Sequence, residues 1–420
     1  MNTLESYDDF FINKRKQILV GENLYDKKVI KIEIESNKNK LNDIQKEYEV
    51  MKQLNESNVV SCPKVYGLLE VTKKELLENE FITESVRTTI ENSKKESFFC
   101  IEQEYIPDSG DHSFSDIFLS ILEQKSVGWY QGDIKPANIR YDEKKCVAYI
   151  IDYDQAISLS EEQKNMSLTE FLSFCDDHDQ IRHGIGDFFR HYKNFDKSEL
   201  SEIIPGGRLD LSKNSLMKKQ NTTNTINGIY HTIDEKYFFA DGSRTVDQRG
   251  DLLKDLEFKA EERILDIGCN NGLLCEYLYE RGCKVVGIDN DPHIITLSKM
   301  MTNIKGKDIE YRHVDLDHTD EIGSYDTIML FSVFHHTRNQ QENAKKIVDS
   351  CNRFIIECRL HENGTQPDGP EGEWQQVSAW RFNSLEEMVE VFETAFPSFK
   401  LTKNLGVGSK GRYVLEFTKL

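Results

Sequence analysis

The chain has 420 residues, and its 53 Lys and Arg against 73 Asp and Glu give a formal net charge of −20. This acidic balance makes nucleic acid an unlikely partner, because binding to phosphates needs clustered cations. No apolar run approaches the roughly 20 residues of a membrane span, so we expect a cytoplasmic protein of two or three domains, with peripheral attachment to the inner membrane face left open.

The N-terminal half shows strand patterns followed by helical patterns. Apolar and charged residues alternate over 28–34, which predicts a half-buried strand, and apolar residues recur at helical spacing over 41–54. Two further strands are predicted over 65–71 and 97–103. We therefore expect residues 1–204 to form a domain of the α+β class.

A change of composition follows this first half. Residues 205–227 contain Pro-Gly-Gly and then mostly small and polar residues, which predicts a linker. After it, short apolar strands alternate with helical stretches through residues 228–420, and this alternation predicts a parallel α/β sheet.

Residues 128–154 contain the residue types that phosphoryl transfer needs. The sequence GWYQGDIKPANIRYD places Asp133, Lys135 and Asn138 in one short loop, and Asp152 follows the next apolar strand. Phosphoryl transfer needs a base near the acceptor hydroxyl and oxygen ligands for Mg²⁺. The pattern resembles the catalytic loop of protein-kinase-like enzymes, in which Asp133 would be the catalytic base and Lys135 would contact the transferred phosphate. Asn138 and Asp152 would hold Mg²⁺.

The same resemblance extends upstream. The strand with VIKI is similar to the kinase strand whose lysine holds the ATP phosphates, which would be Lys31 here. Its expected partner is Glu47, with Glu49 as the second choice. The resemblance thus implies a two-lobed kinase-like domain that binds ATP.

Three positions depart from that pattern. Gln131 and Gly132 stand where these enzymes usually have His and Arg, and Asp154 replaces a glycine. These departures favour a small carbohydrate or antibiotic kinase over a protein-phosphorylating one, and they leave a pseudokinase as an alternative.

The C-terminal half carries a nucleoside-binding pattern. In RILDIGCNNGLLCEYL, an apolar strand leads through Asp266, Gly268 and Gly272 into a helix, and the next strand ends at Asp289. Glycines let the backbone approach a nucleoside closely, and an acid at the second strand end can bind ribose hydroxyls. The spacing differs from the dinucleotide fingerprint and resembles class I methyltransferases, which have a Rossmann-like α/β fold and bind S-adenosylmethionine. By that resemblance Asp315 would contact the adenine.

Acceptor chemistry is predicted at the end of the fourth strand. The sequence LFSVFHH places His335 and His336 where acceptors bind in open α/β sheets. A sulfonium methyl group is already electrophilic, so the enzyme must align the acceptor and needs a base only for a weak nucleophile. Either histidine is a candidate for that base.

The combination resembles the bifunctional kinase–methyltransferases that terminate bacterial O-polysaccharide chains, although their domain order is reversed and they carry a C-terminal coiled coil. This resemblance implies a glycan or small-molecule acceptor that is phosphorylated and then methylated, and a glycosyltransferase as a candidate partner. Two alternatives remain. One is a methyltransferase with a kinase-like binding module, and the other is a pair of independent activities on a small metabolite or a nucleic acid.

Overall fold

A computed structural model describes residues 7–13, 18–23, 25–34, 44–109, 113–177, 197–223, 229–244, 251–360, 382–407 and 412–420. The chain divides into two compact units. The first consists of residues 1–215, 236–238 and 303–306, and the second of residues 216–235, 239–302 and 307–420.

The first unit begins with a five-stranded sheet in the order β1-β2-β3-β5-β4, and every neighbouring pair is antiparallel. Its strands are β1 (Asp8–Asn13), β2 (Ile18–Asn23), β3 (Lys28–Glu33), β4 (Val65–Thr72) and β5 (Ser97–Glu104). Three helices connect them: α1 (Ile44–Glu56), α2 (Lys73–Glu78) and α3 (Glu84–Asn92). The apolar positions of β3 are almost fully buried against residues of β4, β5, α2 and α3, so the alternating pattern of the sequence correctly predicted this sheet.

The rest of the first unit is built around a buried helix. The elements are α4 (Phe114–Ser126), β6 (Trp129–Tyr130), β7 (Ile139–Asp142), β8 (Val147–Ile150), β9 (Ile157–Ser158), α5 (Glu161–Asn165), α6 (Leu168–Asp177), α7 (Lys197–Ile203) and β10 (Leu209–Asp210). Helix α4 begins with a capping box, in which Ser113 accepts from the Asp116 backbone and Asp116 accepts from the Ser113 backbone. Strands β7 and β8 form an antiparallel hairpin, and β6 pairs with β9.

The stretch predicted as a linker, residues 205–227, contains regular structure over 205–223. This stretch contains β10, two short 3₁₀ turns and helix α8 (Ser215–Thr223), while residues 224–227 lie outside the described part of the chain. Its few apolar residues are concentrated where they can be buried, as at Leu209 and Leu211, which are both fully buried. The Asp116 carboxylate also accepts from the backbone N–H and the hydroxyl of Ser215.

The second unit contains a seven-stranded sheet in the order β17-β16-β15-β18-β19-β21-β20. Strands β15 to β19 are parallel, and β21 runs antiparallel to both of its neighbours. The sheet strands are β15 (Arg263–Ile267), β16 (Lys284–Asp289), β17 (Glu310–His313), β18 (Thr327–Phe331), β19 (Arg353–Arg359), β20 (Phe399–Val407) and β21 (Arg412–Lys419). Four short strands precede it: β11 (Ile229–His231), β12 (Ile233–Asp234), β13 (Phe238–Ala240) and β14 (Gly242–Arg244).

Helices follow most of the parallel strands: α9 (Leu273–Tyr279), α10 (Pro292–Lys305), α11 (Gln340–Ser350) and α12 (Leu385–Ala395). The core is rich in aromatic rings, and Phe354 of β19 stacks on Phe417 of β21 with ring centroids 4.9 Å apart. The predicted parallel α/β architecture of the C-terminal half is therefore confirmed. Among the described residues, no helix combines the length and apolarity needed to cross a membrane.

Candidate functional site

An ion-paired cluster in the first unit joins three distant segments of the chain. The Nζ atom of Lys31 on β3 lies 2.6 Å from Oε1 of Glu47 on α1 and 3.0 Å from Oδ1 of Asp152. Burial by itself would lower the pKa of Lys31, but the carboxylates of Asp152 and Glu47 raise it above the ordinary value, so the ammonium stays charged. Glu47 is buried whereas Glu49 is exposed, so the structure places the first-choice glutamate in this cluster.

A second group of predicted residues lies in the loop before β7. The amide nitrogen of Asn138 donates to the backbone oxygen of Asp133 at 2.9 Å and to its carboxylate at 3.1 Å. The ammonium of Lys135 is also paired with the Asp133 carboxylate. Asp133 is fully buried, and the Lys135 and Asn138 side chains both contact its carboxylate.

The two loops are linked by Gln131, which the sequence marked only as a departure from the expected pattern. Its amide nitrogen donates to the backbone oxygens of Ile151, at 3.0 Å, and Asp152, at 2.6 Å. Its amide oxygen accepts from the backbone N–H of Asp133 at 2.8 Å. Asp152 has a left-handed φ of 69°, which is costly for a residue other than glycine. The hydrogen bonds of Gln131 thus hold Asp152, with its left-handed backbone, beside the Asp133 loop.

The glycine loop of the second unit, residues 268–272, connects β15 to α9. Gly268 and Gly272 have φ values of 72° and 77°, in the region that favours glycine. A Cβ atom on Gly272 would lie 2.2 Å from the Tyr311 hydroxyl, and one on Gly268 would lie 2.8 Å from Cβ of Val333. Both predicted glycines are therefore required by backbone conformation and by close packing.

The structure brings Asp289 to this loop from the end of β16. One carboxylate oxygen accepts from the Asn270 backbone at 3.0 Å, and the other accepts from the Asp291 backbone at 3.0 Å. Burial raises the pKa of Asp289, while the hydrogen bonds from the Asp291 and Asn270 backbones lower it. An acid fixed beside a glycine loop has the chemistry needed to accept hydrogen bonds from ribose hydroxyls.

Asp266 and Asp315 have different local surroundings. Asp266 is buried within β15 and accepts from the thiol of Cys275 at 3.3 Å. Asp315 is partly exposed after β17, where its carboxylate accepts from the Asp317 backbone at 2.9 Å and contacts the His318 ring at 2.8 Å. The structure thus places Asp266 beneath the glycine loop and Asp315 in a turn, and their cofactor-binding roles stay predictions.

The two predicted histidines follow β18 in a 3₁₀ turn over Phe334–His336. The structure describes the backbone of His335 but not its side chain. His336 presents an exposed surface, yet desolvation around its ring and the neighbouring Arg412 guanidinium lower its pKa to about 4. At neutral pH the imidazole of His336 is therefore uncharged, and the same causes make it a weak base.

A polar cluster of Ser332, Glu357 and Arg412 lies beside this turn, where β18 and β19 end, and no signal in the sequence indicated Ser332 or Arg412. The hydroxyl of Ser332 donates to Oε2 of Glu357 and accepts from Nη1 of Arg412. Glu357 and Arg412 are themselves 3.6 Å apart, with side chains 0% and 12% exposed. Ser332 has a left-handed φ of 62°.

Comparison with known proteins bears on the second unit. A family model described as a methyltransferase domain matches residues 265–357, which include the glycine loop, Asp289 and Glu357. Together with the order of the seven-stranded sheet, this match identifies a class I S-adenosylmethionine-dependent methyltransferase domain in the C-terminal region.

Several curated relatives are O-methyltransferases of ubiquinone biosynthesis. The protein from Dechloromonas aromatica (strain RCB) is 28% identical over 98 residues, which cover 23% of this chain and 40% of that protein. The one from Rhodopseudomonas palustris (strain TIE-1) is 35% identical over 74 residues, covering 18% of this chain and 29% of that protein. The chain therefore spans well under half the length of these relatives.

Solved structures also match this region. A methyltransferase from Aquifex aeolicus is 16% identical with a TM-score of 0.32, and the match covers 41% of this chain and 90% of that one. Magnesium protoporphyrin IX methyltransferase from Synechocystis PCC 6803, solved with bound S-adenosylmethionine, is 15% identical with a TM-score of 0.32, covering 41% and 80%.

Proposed function

We propose that the second unit transfers a methyl group from S-adenosylmethionine to an oxygen atom of a small-molecule or glycan acceptor. The observation that carries this proposal is the glycine loop with Asp289 fixed beside it by the Asn270 backbone. Val333 and Tyr311 pack against the backbone of Gly268 and Gly272, so the conformation of this loop depends on glycine at both positions. The O-methyltransferases among the relatives support oxygen as the acceptor atom.

We also propose that the first unit is a kinase-like domain that transfers phosphate from Mg²⁺–ATP. The supporting observation is the Lys31 ammonium, which bridges Glu47 and Asp152 across more than 100 residues of sequence. In this proposal Lys31 binds the ATP phosphates and Asp152 with Asn138 holds Mg²⁺. Asp133 accepts the proton of the acceptor hydroxyl, and Lys135 contacts the transferred phosphate.

The acceptor that both activities would share is a sugar or glycan end, as in the polysaccharide chain terminators that the sequence resembles. In the sequential form of this proposal, the kinase phosphorylates the sugar and the methyltransferase acts afterwards in surface polysaccharide synthesis. A glycosyltransferase would supply the glycan end, and the protein would work in the cytoplasm or at the inner membrane face. The alternative is a methyltransferase for another small molecule or a nucleic acid, with the first unit as a binding module.

The test is an assay of a glycan extract incubated with γ-labelled ATP and methyl-labelled S-adenosylmethionine, followed by mass spectrometry. Wild-type protein should incorporate both labels. The Asp133→Asn variant should incorporate no phosphate and should retain Mg²⁺–ATP binding by calorimetry. The matched control is Asp108→Asn, which alters a largely exposed carboxylate of the same unit.

The outcomes separate the proposals. Methyl incorporation without any phosphate incorporation, unchanged in Asp133→Asn and Asp152→Ala, would replace the kinase proposal with the binding-module alternative. Loss of methyl incorporation in Asp133→Asn, restored on glycan phosphorylated beforehand, would support the sequential order.

A further inference from the structure

The cluster of Ser332, Glu357 and Arg412 borders the cofactor loop of the second unit. Ser332 directly precedes Val333, whose side chain occupies the space that a Cβ atom on Gly268 would need. Glu357 is paired in register with Phe331 at the carboxyl end of β18, and Arg412 starts the antiparallel strand beside it. Acceptors of open α/β sheets bind at this end of the strands, so the cluster lies where an acceptor meets the methyl donor.

The hydrogen-bonding roles within the cluster follow from its chemistry. A guanidinium has only donors and an ionised carboxylate has only acceptors. The Ser332 hydroxyl therefore gives its proton to Glu357 and accepts one from Arg412. Since its proton is committed to Glu357, Ser332 Oγ can interact with an incoming group only as a hydrogen-bond acceptor.

From this arrangement we infer that Ser332 orients a neutral hydroxyl group of the acceptor, and that Glu357 and Arg412 are positioning residues that act through Ser332. The inference rests on the proposed methyltransferase activity and names the class of acceptor group. An acceptor hydroxyl can donate to Ser332 Oγ and keep a lone pair for the methyl group. A fully ionised phosphate has no proton to donate to Ser332 Oγ, whose own proton is directed to Glu357.

Every bond and proton of the proposed methyl transfer is accounted for by the donor, the acceptor and this cluster. The acceptor oxygen forms a bond to the methyl carbon, the bond from that carbon to sulfur breaks, and its electron pair stays on sulfur. The acceptor proton passes to Ser332 Oγ while the Ser332 proton passes to Glu357. Because the acceptor oxygen becomes strongly acidic as the new bond forms, the Glu357 carboxylate is a sufficient proton acceptor.

Three variants test the cluster. Ser332→Gly removes the hydroxyl, and glycine accepts the φ of 62° without strain. Glu357→Gln removes the proton acceptor but keeps a hydrogen-bond acceptor, and Arg412→Lys keeps the charge. The matched control is Glu416→Gln. Like Glu357, Glu416 is a buried glutamate in an ion pair between β19 and β21, but its partner, Arg353, lies at the opposite end of β19.

The assay uses full-length protein, methyl-labelled S-adenosylmethionine and a glycan extract. Ser332→Gly and Glu357→Gln should lower kcat by about 10²-fold or more, the scale of a lost proton-transfer group. Arg412→Lys should keep part of the wild-type activity, because the positive charge beside Ser332 is kept. Calorimetry should show unchanged affinity for S-adenosylmethionine in all of them. Glu416→Gln should keep the wild-type kcat.

The linkage of the transferred methyl group is the second measurement. Aqueous hydrofluoric acid cleaves methyl phosphate esters and leaves methyl ethers intact, so the label should resist this treatment. Label released by the acid, or Ser332→Gly as active as wild type, would overturn the inference while leaving the methyltransferase proposal in place. Absence of methyl incorporation by the wild type, together with no binding of S-adenosylmethionine, would instead overturn the proposed function itself.

Discussion

The candidate site of the first unit is formed mainly by side chains, and that of the second unit is built on a backbone loop. In the first unit, charged side chains from distant segments meet, as when Lys31 pairs with both Glu47 and Asp152. In the second unit, the candidate site is built on the backbone of one short loop, and Gly268 and Gly272 let the side chains of Val333 and Tyr311 pack directly against it. The first arrangement is a network of ion pairs, whereas the second is a backbone loop fixed by close packing.

This difference determines how each site tolerates change. A cluster of buried charges depends on every member, since removing one partner leaves the others without compensation at a cost of about 3–5 kcal/mol. A glycine loop depends on shape, so that adding one methyl group is as harmful as removing a functional group. Substitutions of both kinds can therefore test whether the comparison holds.

The largest effect is expected from the two acids of the first unit. Asp133→Asn should lower phosphate transfer by about 10²–10⁴-fold, since it removes the proposed base, and should leave Mg²⁺–ATP affinity near that of the wild type. Asp152→Asn should weaken Mg²⁺–ATP binding itself, because a charged metal ligand is lost. Calorimetry measures the affinity of the two variants for Mg²⁺–ATP, and incorporation of γ-labelled phosphate measures their activity. An equal loss of affinity in the two variants would contradict this division of roles.

The second effect concerns the shape of the glycine loop. Gly272→Ala should reduce affinity for S-adenosylmethionine and lower the melting temperature of the second unit. The φ of 77° costs a non-glycine residue about 1–2 kcal/mol, and the new methyl group would overlap the Tyr311 hydroxyl. Differential scanning calorimetry and titration with S-adenosylmethionine test this, with Gly306→Ala as the control, because Gly306 also has a positive φ but nothing lies within 4 Å of its added Cβ. Equal losses of affinity in both variants would show that backbone strain alone is responsible.

A smaller effect is expected from the acid beside the loop. Asp289→Ala should weaken binding of S-adenosylmethionine by about 1.5–3 kcal/mol for each hydrogen bond lost to a charged acceptor. Isothermal titration calorimetry measures the change, and circular dichroism checks that the fold is retained. Unchanged affinity would remove Asp289 from the cofactor site. Asp291→Asn is a suitable control, because Asp291 accepts from the His293 backbone at the start of α10 instead.

Contacts within one short segment could be predicted from the sequence, whereas contacts between distant segments mostly could not. Residues within one short segment, such as Asp133 with Asn138 or Gly268 with Gly272, carry their spacing in the sequence, and the structure brings each pair together. The Lys31–Glu47 pair was predictable from helical periodicity, because only one of the two candidate glutamates faces inward.

Other contacts could not be predicted because they depend on tertiary structure. The contact of Arg412 with Ser332 requires that the last strand of the sheet lie beside β19, which no local pattern encodes. The regular structure within the predicted linker has a related cause. The apolar content of this stretch is low on average, but Leu209 and Leu211 are placed so that each is fully buried.

The position of β21 has a consequence for how the second unit is synthesised. Strands β15 to β19 leave the ribosome first, but β19 and β20 are joined only through β21, which lies between them and follows both in the chain. Until β21 emerges, the growing chain exposes the hydrogen-bonding edge of β19, which is a surface prone to aggregation. The glycine loop lies in the part of the domain that is synthesised early, whereas the contacts of Ser332 and Glu357 with Arg412 form only after the last strand has been synthesised.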